Sequence, residues 1–212
     1  MKIGFIGLGL MGSAMCANII KKNPEEVFCF DVLPEKTAEV AAMGAAACAG
    51  ALELAEKSDV IITMVPKSEH SRGVCESILP ALGPGKIYID MSTISPDVSV
   101  EISEKVKSTG AQFADCPVVK SRPAALKGEL GIYAGCDEEL FPVIEPVLRY
   151  MGTTVIYMGK NGMGLVMKLC HNTLVAQIQN GVNETLALAN RFGIDAYRFH
   201  EAVVCGGAQN FY

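Results

Sequence analysis

A glycine-rich turn near the start of the chain constrains the fold more than any other feature. The apolar run Ile3–Ile6 is typical of a short strand, and residues 13–22 continue with the pattern of a helix. A GxGxxG turn between a strand and a helix places backbone amides and the positive helix end against a pyrophosphate. The candidate cofactor contacts in this turn are Gly7, Gly9, Leu10, Met11 and Gly12.

An acidic residue stands where a dinucleotide fold needs one, about 20 residues after the turn. Residues 27–30 predict a second strand, and Asp31 follows it directly. A carboxylate at this position hydrogen-bonds the ribose hydroxyls of NAD and repels the extra phosphate of NADP. No arginine follows within residues 32–34 to bind that phosphate, so the sequence predicts NAD as the cofactor. The alternative is a simple tight turn with Asp31 as a helix cap.

Composition excludes several classes of protein. The 212-residue chain has a net charge of −5 and no basic cluster, which argues against nucleic-acid binding. It has no apolar run long enough to span a membrane and no secretory signal pattern. Its eight cysteines include no CxxC pair, so no metal site is predicted. We expect buried free thiols and a cytoplasmic protein.

Short apolar runs alternate with longer amphipathic segments along most of the chain. This alternation predicts an α/β fold of the Rossmann type, a doubly wound and mainly parallel sheet with helices on both faces. The predicted strands are 2–6, 27–31, 60–65, 87–90, 112–116, 131–134 and 154–157. The predicted helices between them include 68–79, 96–108 and 138–151.

The alternation ends near Tyr157, and a long helix is predicted over residues 165–192. Gly193 is expected to end it, and Asp195 to cap a short helix that runs to Val204. We therefore predict an NAD-binding Rossmann domain over 1–160. Residues 161–212 would form a long interdomain helix and the start of an all-α domain.

Three parts of the chain outside the glycine turn carry candidate chemistry, and the first consists of the ends of two predicted strands. Ser92 and Thr93 follow a predicted strand and could face nicotinamide or substrate, or could simply cap the helix that begins at Pro96. Val65 and Pro66 end the preceding strand and could contact the dinucleotide through backbone groups.

The second segment follows the strand at 112–116, where a proline turn leads to two cations. Lys120 and Arg122 could bind an anionic group of the substrate, or could be solvated surface charges.

The third segment lies on the long helix, where Lys168, His171 and Asn172 share one face. Partial burial among apolar neighbours would lower the pKa of Lys168 and suit it to proton transfer. The alternative is a surface lysine whose stem covers apolar neighbours.

Together these segments resemble the β-hydroxyacid dehydrogenase family. The matching stretches are 4–12, 90–93, 115–118 and 162–164, the last leading to Lys168 and Asn172, in the order of the family. The resemblance implies that Lys168 is the catalytic acid/base and that Asn172 holds substrate beside it. Thr93, Val65 and Pro66 would contact NAD. The substrate would be a small anionic hydroxy acid or its semialdehyde, contacted by Ser92, Val119, Lys120, Ser121 and His171.

The chain departs from the family in two places. Common members have Ser-Gly-Gly where this chain has Val119, Lys120 and Ser121, and a basic residue here is similar to the sulfolactaldehyde reductase branch. Lys120 could thus bind a sulfonate or a second carboxylate. Members of the family also continue into further helices, so the chain resembles a C-terminally truncated member whose apolar helix face is exposed. Such a face predicts association, as in a homo-oligomer, or misfolding, or a missing second piece. The alternatives to an enzyme are a non-catalytic NAD-binding fragment or an interaction module.

Overall fold

A computed structural model describes residues 1–210, so the last two positions of the predicted segment 161–212 lie outside the described residues. The sheet within this part of the chain has nine strands. They are β1 (Ile3–Ile6), β2 (Val27–Phe30), β3 (Ala46–Ala47), β4 (Val60–Thr63), β5 (Ile87–Asp90), β6 (Gln112–Asp115), β7 (Val118–Val119), β8 (Leu130–Gly135) and β9 (Gly152–Gly159).

Helices connect most of these strands and continue beyond the last one. They are α1 (Gly12–Lys22), α2 (Pro34–Ala41), α3 (Ala51–Lys57), α4 (Ser68–Ile78), α5 (Pro96–Ser108), α6 (Arg122–Lys127), α7 (Phe141–Leu148), α8 (Met163–Arg191) and α9 (Ala196–Val204).

The strand order confirms the Rossmann-type prediction. The sheet runs β3-β2-β1-β4-β5-β6-β8-β7, with β9 beside β8. All pairs from β3 to β6 are parallel, whereas β8 runs antiparallel to β6 and β7. The order reverses between β1 and β4, and the carboxyl ends of strands at such a point form the ligand-binding crevice of doubly wound sheets.

The core explains why the central strands are so apolar. Every residue of β1, β4 and β5 is buried, as expected for parallel strands with helices on both faces. Phe5 and Ile62 belong to the apolar cluster on one face, and Phe28 and Tyr88 to the cluster on the other. Six of the eight cysteines are buried free thiols, but Cys170 and Cys205 are exposed, which the sequence did not predict.

Two compact units make up the described chain, one from Met1 to Lys168 and one that begins at Leu169. The second unit contains the remainder of α8 together with α9, which Asp195 caps by accepting a hydrogen bond from the Arg198 amide at 2.9 Å. A groove of about 430 Å³ between these two helical segments is lined mainly by apolar side chains, including Ile178 and Phe199.

The long helix is nearly uncovered along its length. Of its 29 residues, only Gly164 and Leu165 are buried. Leu174 is 58% exposed and Leu188 is 56% exposed, so the exposed apolar face predicted from the sequence is present. No helix within residues 1–210 is both long and apolar enough to cross a membrane.

Candidate cofactor and catalytic site

The glycine turn joins β1 to α1 in a conformation that only glycines permit at two positions. Gly7 has φ +92°, and a methyl group there would collide with the carbonyl oxygen of Met64. A methyl group at Gly12 would collide with the carbonyl oxygen of Gly7. Gly9 differs, because no atom lies within 4 Å of the position that its methyl group would occupy. The turn is therefore closed on the protein side and open on the ligand side.

The amides of this turn are available to an anion. In the described part of the chain, the amides of Gly9, Leu10 and Met11 donate to no protein acceptor. The first turn of α1 contains no acidic residue that would cancel the positive end of the helix. Free amides, an open approach over Gly9 and a positive helix end fit the pyrophosphate of a dinucleotide.

Asp31 lies beside this turn at the end of β2. Its Oδ2 accepts a hydrogen bond from the Leu8 amide at 2.6 Å, and its Oδ1 accepts one from the Leu33 amide at 2.9 Å. The side chain also lines a cleft of about 540 Å³ with Pro34 and Ala38. A carboxylate at the rim of an apolar cleft beside the amides fits the adenosine half of NAD.

The ends of β4 and β5 lie at the same edge. The Val65 amide donates to Ser92 Oγ at 2.8 Å, so these two predicted site residues join neighbouring strands. Thr93 and Pro66 are exposed at this edge. Neither Ser92 nor Thr93 caps α5, because the residue before that helix is Ser95.

The loop after β7 has an unusual backbone. Lys120 has φ +75° and is the only non-glycine residue with a positive φ among residues 1–210. Its Nζ donates to the carbonyl oxygen of Glu129 at 2.8 Å, so its charge is held on the protein in this structure. Val119 is buried, whereas Ser121 and Arg122 are exposed.

Lys168 is half-buried in the second turn of α8 and is the last residue of the first unit. Desolvation lowers its pKa from the ordinary value of 10.5. Within the described chain, its Nζ has no hydrogen-bond or ion-pair partner. His171, which is half-buried, and Asn172, which is exposed, follow on the same helix in the second unit. An unpartnered amine with a lowered pKa loses its proton more readily than an ordinary lysine, and can therefore accept and return a proton.

Asp115 at the end of β6 is a residue whose importance the sequence analysis missed. It is fully buried, and its carboxylate accepts hydrogen bonds from the Gly162 and Leu165 amides and from Asn161 Nδ2. Burial raises its pKa to about 7, against the opposing effect of these donors. In the sequence, two signals could have identified it, namely its position near the end of a predicted strand two residues before Pro117 and its place in the family-matching stretch 115–118.

Comparison with known proteins agrees with this geometry. Residues 2–159 match the family model described as the NAD binding domain of 6-phosphogluconate dehydrogenase. The match begins with β1 and ends with β9, and therefore contains the glycine turn, Asp31, Ser92 and Lys120.

Full-length relatives resemble the chain beyond that domain. It is 37% identical over 202 residues to the mitochondrial 3-hydroxyisobutyrate dehydrogenase of Drosophila melanogaster, covering 95% of this chain and 62% of the relative. It is 32% identical to the 2-(hydroxymethyl)glutarate dehydrogenase of Eubacterium barkeri, covering 95% of this chain and 68% of that protein. The chain thus spans less than two thirds of the length of the Drosophila relative.

A solved structure shows the same backbone. The 3-hydroxyisobutyrate dehydrogenase of Mycobacterium tuberculosis, crystallised with L-serine, superposes with a TM-score of 0.95 at 31% sequence identity. The superposition covers 99% of this chain and 72% of that one. With the family match over residues 2–159, these similarities show that the chain belongs to the β-hydroxyacid dehydrogenase family, with an NAD-binding domain of the 6-phosphogluconate dehydrogenase type.

Proposed function

We propose that this chain takes part in the NAD-dependent oxidation of a small β-hydroxy acid, or in the reduction of the corresponding semialdehyde. NAD supplies the hydride acceptor when it is bound. The chain supplies the amides of the glycine turn for the pyrophosphate and the Asp31 carboxylate for the ribose. The observation that carries the proposal is the unpartnered, half-buried amine of Lys168 in the same unit as that turn.

In the proposed reaction, Lys168 Nζ accepts the hydroxyl proton of the substrate during oxidation and returns it during reduction. Partial burial favours the neutral amine that oxidation requires. Asn172 follows one helical turn later and is proposed to hold the substrate beside the amine. Thr93, Val65 and Pro66 at the ends of β4 and β5 are proposed to contact the nicotinamide half of NAD.

The substrate is proposed to be anionic and bound by Ser92, Val119, Lys120, Ser121 and His171. The relative from Eubacterium barkeri is named for a hydroxy acid with two carboxylates. The Lys120 ammonium would bind a second carboxylate or a sulfonate if it moved from the Glu129 carbonyl oxygen, an exposed contact that costs little to break. Comparing KM for monocarboxylate, dicarboxylate and sulfonate substrates in wild type and Lys120→Ala tests this. An unchanged KM for every acid would rule out the contact.

A homo-oligomer in the cytoplasm is also proposed. The exposed apolar face of α8 supports association, because patches of this kind usually mark an interface. Free thiols at all eight cysteines fit a reducing compartment. Sedimentation analysis tests the oligomeric state.

The catalytic proposal is tested by following nicotinamide absorbance with NAD and a panel of hydroxy acids, for wild type and Lys168→Met. We expect turnover with at least one acid, a loss of at least about a hundredfold in Lys168→Met, and unchanged thermal stabilisation by NAD in both. Stabilisation by NAD without turnover on any acid would favour the non-catalytic NAD-binding alternative. No stabilisation by NAD would contradict both the catalytic proposal and the non-catalytic NAD-binding alternative.

A further inference from the structure

The buried Asp115 carboxylate has no place in the proposed hydride or proton transfer, yet three donors converge on it. The Gly162 amide donates to Oδ1 at 2.6 Å, Asn161 Nδ2 donates to Oδ1 at 2.9 Å, and the Leu165 amide donates to Oδ2 at 2.9 Å. The amide donors lie just before α8 and in its first turn. Asp115 therefore accepts hydrogen bonds from amides at the start of α8, as an N-cap side chain would, but it lies on a strand about 50 residues away in sequence.

Two glycines make room for this carboxylate. A methyl group at Gly135 would lie 2.5 Å from Asp115 Oδ1. A methyl group at Gly164 would lie 2.5 Å from the Tyr133 carbonyl oxygen and 2.8 Å from Asp115 Oδ2. Because these positions tolerate no side chain, the carboxylate and the helix start fit each other closely. We call Asp115, Gly135, Asn161, Gly162, Gly164 and Leu165 the helix socket.

The helix socket holds the only buried residues of α8. Gly164 and Leu165 are buried, and no other residue of that helix is. Lys168 follows Leu165 by three positions, so its Nζ projects from the turn next to the one that Asp115 fixes. A helix is stiff over one turn, so the orientation of the first turn sets where the Lys168 side chain starts.

We propose that Asp115 is a positioning residue that fixes the first turn of α8 and so holds the Lys168 amine in its partly desolvated place. The inference rests on the proposed function, because the role of Lys168 as acid/base is itself proposed there. A carboxylate is needed because both amides and Asn161 Nδ2 are donors, and Asp115 must accept from all three. An asparagine of the same shape would turn its own N–H₂ toward at least one of them.

Asp115→Asn tests the inference at about pH 8, where the wild-type carboxylate is ionised. Hydrogen exchange of the Gly162 and Leu165 amides is expected to accelerate about tenfold to a hundredfold. The pKa of Lys168, measured from the pH dependence of its labelling by an amine-reactive reagent, is expected to rise toward its ordinary value. Turnover of the hydroxy acid should fall about tenfold or more while KM for NAD stays unchanged.

Two further variants, Gly164→Ala and Asn161→Ala, and one control variant, Gly181→Ala, keep the test decisive if Asp115→Asn does not fold. Gly164→Ala pushes a methyl group into the socket, whereas Gly181→Ala makes the same change on the same helix where no atom lies within 4 Å. Asn161→Ala removes one donor and should give the same changes at smaller size. In Gly164→Ala and Asn161→Ala, hydrogen exchange of the socket amides should accelerate and the pKa of Lys168 should rise. In Gly181→Ala, both quantities should stay as in wild type.

Unchanged exchange and an unchanged Lys168 pKa in a folded Asp115→Asn would overturn the inference. These two measurements need no substrate. If wild type shows no turnover, the proposed function fails, while the role of Asp115 in positioning Lys168 is still decided by exchange and labelling.

Discussion

The Asp31 carboxylate and the Leu8 amide are joined by a hydrogen bond of 2.6 Å, which ties the end of β2 to the glycine turn after β1. The same carboxylate accepts a second amide, that of Leu33, at 2.9 Å. Asp31 therefore shapes the turn that would receive the pyrophosphate and also presents the acceptor expected for the ribose. One side chain links the two halves of the predicted cofactor site.

Asp31→Asn should weaken NAD binding about tenfold to a hundredfold, since hydrogen bonds to a charged group are worth about 1.5–3 kcal/mol. It should also narrow the preference for NAD over NADP, because the repulsion of the extra phosphate is lost. The fluorescence change of the reduced cofactors on titration measures both affinities, and the chain contains no tryptophan to interfere.

Asp59→Asn is the matched control for that experiment. Asp59 Oδ2 accepts the Lys2 amide at 2.8 Å, so it makes a similar bond at the opposite end of β1. Its variant should bind NAD like wild type. Equal losses of NAD affinity in both variants would mean that Asp31 acts only through the stability of the fold.

Gly9→Ala and Gly12→Ala should have different effects, the first on NAD binding and the second on the stability of the fold. The Gly12 variant forces a methyl group onto the Gly7 carbonyl oxygen and should be destabilised by several kcal/mol, as overpacking against backbone is costly. The Gly9 variant meets no protein atom and should keep wild-type stability, but its methyl group enters the space proposed for the pyrophosphate. Thermal unfolding with and without NAD separates the two effects.

Gly50→Ala serves as the reference, since its methyl group also meets no atom within 4 Å. It should match wild type in both stability and NAD response. Normal stabilisation of Gly9→Ala by NAD would show that the pyrophosphate does not pass over Gly9.

Local sequence patterns made the central strands and the glycine turn at the carboxyl end of β1 predictable. The apolar runs that became β1, β4 and β5 are four residues long and buried on both faces, so their composition alone marks them. The two-residue strands β3 and β7 were missed because two residues carry no periodicity. The glycine turn was predictable for the same local reason.

Asp115 could not be assigned a role from sequence, because its partners Gly162 and Leu165 lie 47 and 50 positions away. Only the folded chain shows that β6 ends beneath the start of α8. The sequence also could not show that Lys120 has a positive φ or that its ammonium lies on the Glu129 carbonyl oxygen. Both depend on how β7 turns beside β8.

Lys120→Gly should stabilise the protein by about 1 kcal/mol, because a glycine adopts a positive φ without the penalty that a side chain carries. Urea unfolding of the two proteins measures the difference. Lys127→Gly, at the end of α6, is the contrasting change, because it places glycine in a helix and should destabilise instead. A less stable Lys120→Gly would mean that the hydrogen bond to Glu129 outweighs the backbone strain.

Oxidation of the hydroxy acid should become faster as the pH rises through the pKa of Lys168. Desolvation places that pKa below 10.5, and only the neutral amine can accept the substrate proton. Reduction needs the protonated amine and should slow over the same pH range. Measuring kcat/KM in both directions against pH tests this, and a residual rate in Lys168→Met that keeps the same pH dependence would assign it to another group.

Asp115 should make the stability of the first unit depend on pH between about 4 and about 7. Its pKa is raised from 3.8 to about 7 in the folded chain, so in this interval the folded state binds a proton that the unfolded state has lost. Stability should therefore fall as the pH rises from about 4 to about 7 and then level off. The titratable groups that interact with it are the thiols of Cys116 and Cys136, whose own pKa values burial raises, so they remain neutral throughout.

The difference in the free energy of unfolding between wild type and Asp115→Asn isolates the contribution of Asp115, because the three histidines and all other carboxylates are common to both proteins. Urea unfolding at several pH values across the interval should show the fall in wild type and a flatter profile in the variant. Parallel profiles would mean that the three donors in the helix socket keep the Asp115 carboxylate ionised well below neutral pH. The Asp115 carboxylate would then accept these hydrogen bonds and hold the start of α8 at every pH at which the protein is folded.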